Sequence, residues 1–137
     1  MTVFLRRFLS DRGAVCTELV LVVPLVLLLA LLAVQFALFW HASHVAQFAA
    51  QRALAAARVE DGSAAGGQDQ ARHSLAALGS QVLTAPSVTV SRSATQTTVR
   101  VDGTVMRVVP VPGLVLHASG TASGPTERIT IPTGARP

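Results

Sequence analysis

The sequence predicts an α+β protein with a long N-terminal helix, a second short helix and a small antiparallel β-sheet. Three observations lead to this fold class. An uncharged apolar run occupies residues 19–40, an alanine-rich segment follows it, and from Ser87 onward apolar and polar residues alternate. The chain has 137 residues, so there is room for one small domain outside the apolar run.

The apolar run is long enough to cross a membrane. Residues 19–40 contain no charged side chain, and only Pro24 and Gln35 interrupt their apolar character. A helix over this run is about 33 Å long, and a bilayer core is about 30 Å thick. Three arginines precede the run, and the next cation is Arg52. The positive-inside rule therefore predicts a single-pass protein of the cell membrane, with a membrane segment at about residues 17–40, a cytoplasmic N-terminus and an extracytoplasmic C-terminal domain.

A cleaved secretory signal is the main alternative, because it also combines a basic flank with an apolar run. The run here exceeds the usual apolar length of about 7–15 residues, and no small-x-small site with a polar continuation follows it directly. A retained anchor is therefore favoured. The single cysteine, Cys16, excludes an intramolecular disulfide and precedes the run, whereas a lipoprotein cysteine follows one.

The helical pattern continues beyond the membrane segment. Polar residues at helical spacing predict a water-facing stripe formed by His41, His44, Gln47, Gln51 and Arg58. The opposite, packed face is predicted to contain Val45, Phe48, Ala49 and the alanines up to Ala57. Glu60-Asp61-Gly62 and the Gly66-Gly67 pair should end the helix, which we therefore expect over residues 14–60.

Residues 61–86 are predicted to form a linker and a short amphipathic helix. Gln68 or Asp69 provides a start signal, apolar residues from Ala71 to Val82 form one stripe, and the helix should close before Ala85-Pro86. This helix would connect the long helix to the sheet.

Residues 87–131 are predicted to form the small β-sheet domain. Valines alternate with threonine, serine and arginine in two runs. A bulge is expected near Gly103, and residues 110–113 should interrupt the sheet. A third strand is expected at about residues 117–123, and a fourth at residues 128–131. Residues 114–116 should cover the core by default, with the membrane surface as the alternative, and residues 132–137 should form a loose tail.

The composition argues against several other classes of function. The net charge is +4, but the cations are all arginines spread along the chain, while the aromatic residues lie within the first 48 positions. Nucleic-acid binding usually needs a concentrated basic face, so no nucleic-acid partner is expected. His41 and His44 have helical spacing without a nearby acidic or cysteine ligand. We therefore expect no metal, no cofactor, no small-molecule substrate and no enzymatic activity.

Glu18 is a charged residue at the very start of the apolar run. One interpretation is an interfacial carboxylate that still contacts water. The other begins with Gly13: cleavage after it would create a new amine on Ala14, four residues before Glu18 and on the same helix face. This amine could neutralise the carboxylate of its own chain or of a neighbouring subunit.

The N-terminal sequence resembles that of TadE-like proteins, the type IVb pseudopilins of tight-adherence (Flp) pilus systems. The resemblance depends on Gly13 after a basic flank, on Glu18 at the fifth position after it, and on Pro24 within a Leu/Val run. It continues through Gln35-Phe36, Ala49-Ala50-Gln51-Arg52 and Ala57-Arg58.

This resemblance implies a component of a pilus or secretion filament. It implies that a prepilin peptidase cleaves residues 1–13, a cytoplasmic leader, between Gly13 and Ala14, and that the Ala14 amine can be methylated. The implied partners are the membrane, other pilin-like subunits and the pilus assembly machinery. Glu18 would align neighbouring subunits by charge pairing, and Pro24 would introduce a kink. The alternatives are an uncleaved single-pass anchor with a small extracytoplasmic binding domain, and a secreted α+β module.

Overall fold

A computed structural model describes residues 3–109 and 111–128, with side chains from Leu19 onward. Helix α1 spans Val3–Arg58 and helix α2 spans Ala64–Leu78. Three strands follow: β1 at Leu83–Arg92, β2 at Gln96–Val105 and β3 at His117–Pro125. The strands form one sheet in the order β1-β2-β3, so the predicted α+β class is confirmed.

Helix α1 has 56 residues, which corresponds to a length of about 84 Å. It continues as α-helix through Pro24, although proline removes a backbone donor. It ends at Arg58, so the prediction of its C-terminal end was two residues too long. Gly62, which belongs to the predicted stop signal, follows in a short turn, and its amide donates to the carbonyl of Val59.

Helix α2 begins earlier than predicted. Ser63 caps it, because its hydroxyl oxygen accepts a hydrogen bond from the amide of Gly66 at 3.0 Å. The Gly66-Gly67 pair therefore lies inside α2, and the predicted start at Gln68 or Asp69 was wrong. The helix ends at Leu78, well before Ala85-Pro86, and the amide of Gly79 donates to the carbonyl of Leu75.

Both strand pairs are antiparallel. Strand β1 starts at Leu83, four residues before the predicted start at Ser87, and it includes Pro86. The sheet tolerates this proline because β1 is an edge strand and the register shifts between Thr84 and Ser87. The predicted bulge therefore lies on β1, opposite Gly103 of β2.

The core lies between one face of the sheet and the two helices. Alternate residues of β2 are buried, and they join α1, α2 and Leu83 in one apolar cluster. The opposite sheet face, which carries threonines and serines, is largely exposed. We call α2, the sheet and their connecting loops the head, and this head is attached along the C-terminal part of α1.

The β2–β3 loop, residues 106–116, differs in part from its prediction. The sheet is interrupted where predicted, and Pro112-Gly113 forms a turn there, with Gly113 at a φ of 80° and the amide of Leu114 donating to the carbonyl of Val111. Leu116 packs against the core, but Leu114 and Val115 are exposed, so the expectation that all three cover the core was wrong. The predicted fourth strand and tail lie, apart from Arg128, outside the described residues.

Candidate functional site: the long helix and its junction with the head

The first part of α1 with described side chains exposes apolar residues all around its axis. From residue 19 to residue 34 every residue is exposed, and the mean hydropathy of the best 18-residue window is 2.9. In water such a surface would be strongly unfavourable. By length and composition this segment can cross a membrane.

Gln35 is the first buried residue of α1 in the part where side chains are described, and only 5% of it is exposed. Its amide nitrogen donates to the carbonyl of Met106 at 3.2 Å. Its amide oxygen accepts from the amides of Val108 at 2.8 Å and Val109 at 3.3 Å. One glutamine therefore satisfies three backbone groups of the β2–β3 loop and fixes that loop beside the helix.

Gln47 makes a similar contact three turns further along α1. Its side-chain amide donates to the carbonyl of Thr121 at 3.0 Å and accepts from the amide of the same residue at 3.1 Å. The glutamine thus occupies the place of a neighbouring strand at the outer edge of β3. It was predicted on a polar stripe with His41, His44 and Gln51, which are exposed, but Gln47 itself is half-buried by its contact with β3.

Small residues let α1 approach the sheet closely. The packed face of α1 consists mainly of alanines with no exposed surface, namely Ala42, Ala46, Ala49, Ala50, Ala53 and Ala57. Opposite them, Gly120 of β3 lies so near that a Cβ atom would collide with the backbone of Ala46 and Gln47. A larger residue at Gly120 would therefore push the helix away from the sheet.

Phe48 does not lie on the packed face, contrary to the prediction. It is 39% exposed, and the guanidinium of Arg52 lies over its ring at 5.1 Å from the centroid. This cation–π contact shields part of the ring from water. Phe48 therefore belongs to the outward face of α1.

Two aromatic residues mark the level at which the head begins. Phe36 and Trp40 are 64% and 59% exposed, and the ring of Trp40 also packs against His44 at a centroid distance of 5.2 Å.

Within the part of the chain that was described, no three histidine, cysteine or acidic residues come together in a way that could hold a metal ion.

The far end of the junction is held by polar contacts. Arg92 donates to the carbonyls of Val59 and Glu60, just beyond the end of α1. Arg58 lies 3.4 Å from the carboxylate of Glu127, and the backbone amide of Glu127 donates to the carbonyl of Arg58. These contacts satisfy carbonyl groups that a helix end leaves without intrahelical partners.

The polar face of the sheet carries a charged pair. The guanidinium of Arg100 binds both carboxylate oxygens of Asp102, at 2.7 and 2.9 Å. The hydrogen bond that Arg100 donates to Asp102, followed by the charge of that carboxylate, raises the pKa of Arg100 above its ordinary value. Arg100 therefore stays protonated, and the pair leaves this face with no net charge.

The residues that the sequence singled out lie near the other end of α1. Gly13, Ala14 and Glu18 are all within the helix, so positions 14 and 18 share one face, as expected from their spacing. Their side chains lie outside the described set. Pro24 lies in the exposed apolar segment. Cleavage after Gly13, charge pairing of Glu18 and a kink at Pro24 stay predictions.

The fold and the junction define a class of protein, in which a long helix has an apolar segment able to span a membrane and a C-terminal part that packs against an α+β head. Residues 13–55 match the family model of TadE-like proteins. The resemblance is thereby confirmed over this segment, and the family indicates a component associated with the Tad pilus that has an N-terminal membrane-spanning helix. No curated protein and no solved structure gives a significant match.

Sequence reasoning missed the residues that hold the junction together. Gln35 appeared as an interruption of the apolar run and as part of the resemblance, without a structural role, although a lone amide in such a run usually has a backbone or side-chain partner. The close approach at Gly120 also had a signal, because the helix-facing positions of β3 are small throughout: Ala118, Gly120, Ala122 and Gly124.

Proposed function

We propose that this protein is a pseudopilin-like component of a tight-adherence pilus or a related secretion assembly. The observation that carries the proposal is the TadE-like match, which begins at Gly13 and covers the whole exposed apolar segment of α1. The proposed role is structural, without an enzymatic reaction. The helix would hold the protein in the membrane before assembly and in contact with neighbouring subunits afterwards.

In this proposal a prepilin peptidase cleaves the chain after Gly13. The arginines of the first twelve residues would keep that segment in the cytoplasm, where the peptidase acts, and the head would lie outside. Removing the segment leaves a helix that starts at Ala14 and enters the apolar part within one and a half turns. The start of the family match at Gly13 supports this position for the cleavage site.

Glu18 has a defined role in the proposed assembly. An ionised carboxylate without a partner costs about 3 kcal/mol at the centre of a bilayer and less near its edge. The new amine of Ala14 would supply one, either in the same chain, four residues away, or from a neighbouring subunit. Pairing between subunits would align them along the filament, because a mismatch would leave a charge buried without a partner.

The exposed side chains at residues 19–34 support assembly, in which contacts with lipid are exchanged for contacts with the helices of other subunits. Leucine and valine surround this segment on every side, so the same surface can contact lipid or the corresponding helices of other subunits. Pro24 lies within it and would let the helix bend as it leaves the bilayer. The head would then lie on the outside of the filament.

Release of the head by a signal peptidase fits the contacts less well. Cleavage near residue 40 would separate Gln35 from the β2–β3 loop, leaving Met106, Val108 and Val109 without the hydrogen bonds that it provides. Such a loss costs about 1–3 kcal/mol for a buried group, and the hydrogen bond to the amide of Val109 is buried. An uncleaved anchor remains the main competing proposal, because it keeps every contact of the head.

The test is the mass of the mature protein isolated from its native membrane. We expect a chain that starts at Ala14. The mass of its N-terminal peptide would also show whether the amine is methylated. A chain that keeps Met1 and still functions would overturn the proposal in favour of the uncleaved anchor. Gly13→Leu should block cleavage, whereas Gly124→Ala, in the head, whose added Cβ meets only ordinary contacts, should leave cleavage unchanged.

A second measurement concerns Glu18. We expect Glu18→Gln to be cleaved normally but to reduce recovery of the protein in sheared filaments several-fold. The matched control is Glu127→Gln, which removes an exposed carboxylate in the head and should assemble as the parent protein does. Equal recovery of the two variants would contradict a role for Glu18 in subunit pairing.

A further inference from the structure

The β2–β3 loop lies where α1 passes from its exposed apolar segment to its packed part. Gln35 marks this boundary and holds the loop through the backbone of Met106, Val108 and Val109. The position of the loop along the helix axis is therefore fixed. Whatever surrounds the helix at Gln35 also surrounds this loop.

The loop carries most of the exposed apolar side chains of the head. Beyond α1, the described chain has seven exposed large apolar residues, and two of them, Val59 and Leu78, lie elsewhere. The other five lie together in the loop and are 37–56% exposed: Met106, Val108, Val111, Leu114 and Val115. Such a concentration on a small domain marks an interaction surface.

The distance along α1 places this surface at a membrane. Gln35 follows Leu19 by sixteen residues of helix, or about 24 Å, while a bilayer core is about 30 Å thick. A span that begins at Leu19 therefore extends beyond Gln35 and ends close to Trp40. Phe36 and Trp40, both well exposed, lie at this level, where aromatic residues anchor membrane proteins.

The backbone of the loop is suited to an environment with little water. Gln35 binds three of its polar groups, and the amides of Met106, Val111 and Leu114 donate to the carbonyls of Val82, Val109 and Val111. Two positions of the loop are prolines, which have no amide hydrogen. Five amides of the loop thus have partners, which lowers the cost of moving the loop out of water.

The charges of the loop also fit a lipid surface. Arg107 is its one charged residue, and no acidic residue occurs between Asp102 and Glu127. A long arginine side chain can reach the phosphates of the headgroup layer while neighbouring apolar side chains contact the acyl chains. A cleft of about 440 Å³ between Gln35 and the loop, lined by Leu114, Val115 and Leu116 among others, offers further apolar surface.

From these observations we propose that the β2–β3 loop is inserted into the leaflet on the head side of the membrane, beside α1. It forms a second membrane contact of this protein, with Leu114 and Val115 among the acyl chains and Arg107 at the headgroup phosphates. The head is thereby held close to the bilayer rather than free on its helix. This contact depends on lipid alone and does not require a pilus.

The experiment uses the full chain with Cys16→Ser, reconstituted in vesicles of phosphatidylcholine and phosphatidylglycerol. An environment-sensitive fluorophore is attached through Val115→Cys in the loop, or through Ser119→Cys at an exposed position of β3. We expect blue-shifted emission at position 115, with several-fold stronger quenching by nitroxides on the acyl chains than by iodide in the buffer. The probe at position 119 should show the opposite preference.

Two outcomes would overturn the proposal. Equal access of iodide to both probes would place the loop in water. Protection of the probe at position 115 from both quenchers would mean that protein, such as a second copy of the chain, covers the loop. A second variant, Gln35→Met, should weaken nitroxide quenching at position 115 without changing it at position 119, because it releases the loop from the helix.

Discussion

The two parts of helix α1 differ in what surrounds them, although they form one continuous element. Residues 19–34 expose leucine and valine on all sides, whereas from Gln35 onward one face is buried against the head. The change occurs within a single turn. One helix can therefore serve two environments when large apolar side chains in one part give way to buried alanines in the other.

The compositions of the two parts explain the difference. Large apolar side chains in the first part offer much surface to lipid or to other helices. The second part presents alanines, which gain less free energy from burial but let the backbone approach β3 at Gly120. Packing of the head thus depends on close contact between α1 and the sheet. A change of side-chain volume in the second part of α1 should therefore affect the stability of the head more than a change in the first part.

The largest effect is expected for Gly120→Val. Its side chain would collide with the backbone of Ala46 and Gln47, so we expect a loss of about 3 kcal/mol in the unfolding free energy of the head. Hydrogen exchange of the β2 amides in detergent-solubilised full chain measures it. Gly124→Val is the control, because the nearest atom to its Cβ is Leu54 Cδ2 at 3.6 Å. Equal losses for both variants would contradict the close-approach argument.

The next largest effect concerns the two glutamines of α1. Gln35→Met removes the partner of three backbone groups and should cost about 2 kcal/mol, whereas Gln47→Met, at a more exposed contact, should cost about 1 kcal/mol. Methionine keeps the length of the side chain, so the difference reports hydrogen bonding. We would measure both by urea unfolding, and a larger loss at Gln47 would reverse our ranking of the two contacts.

A smaller effect compares volume changes in the two parts of α1. Ala49→Leu adds atoms at a fully buried position and should cost about 1–2 kcal/mol of head stability. Leu28→Ala, in the exposed segment, should change that stability by less than about 0.5 kcal/mol. The same unfolding assay applies, and similar losses in both variants would mean that the head also contacts the first part.

The smallest effect is expected at the far end of the junction. Glu127→Gln removes the ion pair with Arg58, whose side chains are both substantially exposed, while the backbone hydrogen bond between these residues remains. We expect the unfolding free energy of the head to fall by less than about 0.5 kcal/mol, and we expect salt concentration not to change this small difference appreciably. A loss above about 1 kcal/mol would show that the charges contribute more than their exposure suggests.

Much of the fold was predictable because its signals are local. The apolar run, the alanine-rich extension and the alternating strands each specify an element through a periodic pattern. The Gly66-Gly67 pair was misassigned because glycine disfavours a helix interior, yet here Gly67 fits against Ala53 and Ala57. The start of β1 was missed because Pro86 is acceptable only at a bulge of an edge strand, and neither can be recognised before the strands are paired.

The junction was less predictable than the fold. The partners of Gln35 and Gln47 lie more than seventy residues away in the chain, so no local pattern identifies which backbone groups they bind. The candidate residues near Gly13 and Glu18 were found because their meaning depends on spacing within one helix. Sequence therefore indicated candidate residues at the N-terminal end of α1, but it did not indicate the residues that hold the head.

The most direct test of two environments along one helix is a nitroxide scan of single cysteines from residue 20 to residue 57 in lipid vesicles. We predict that residues 20–34 are accessible to oxygen and protected from a water-soluble nickel chelate at every position. From residue 35 onward, accessibility should follow a helical period, with minima at the buried alanines. A helical period that extends through residues 20–34, or access of the nickel chelate near residue 28, would contradict the account.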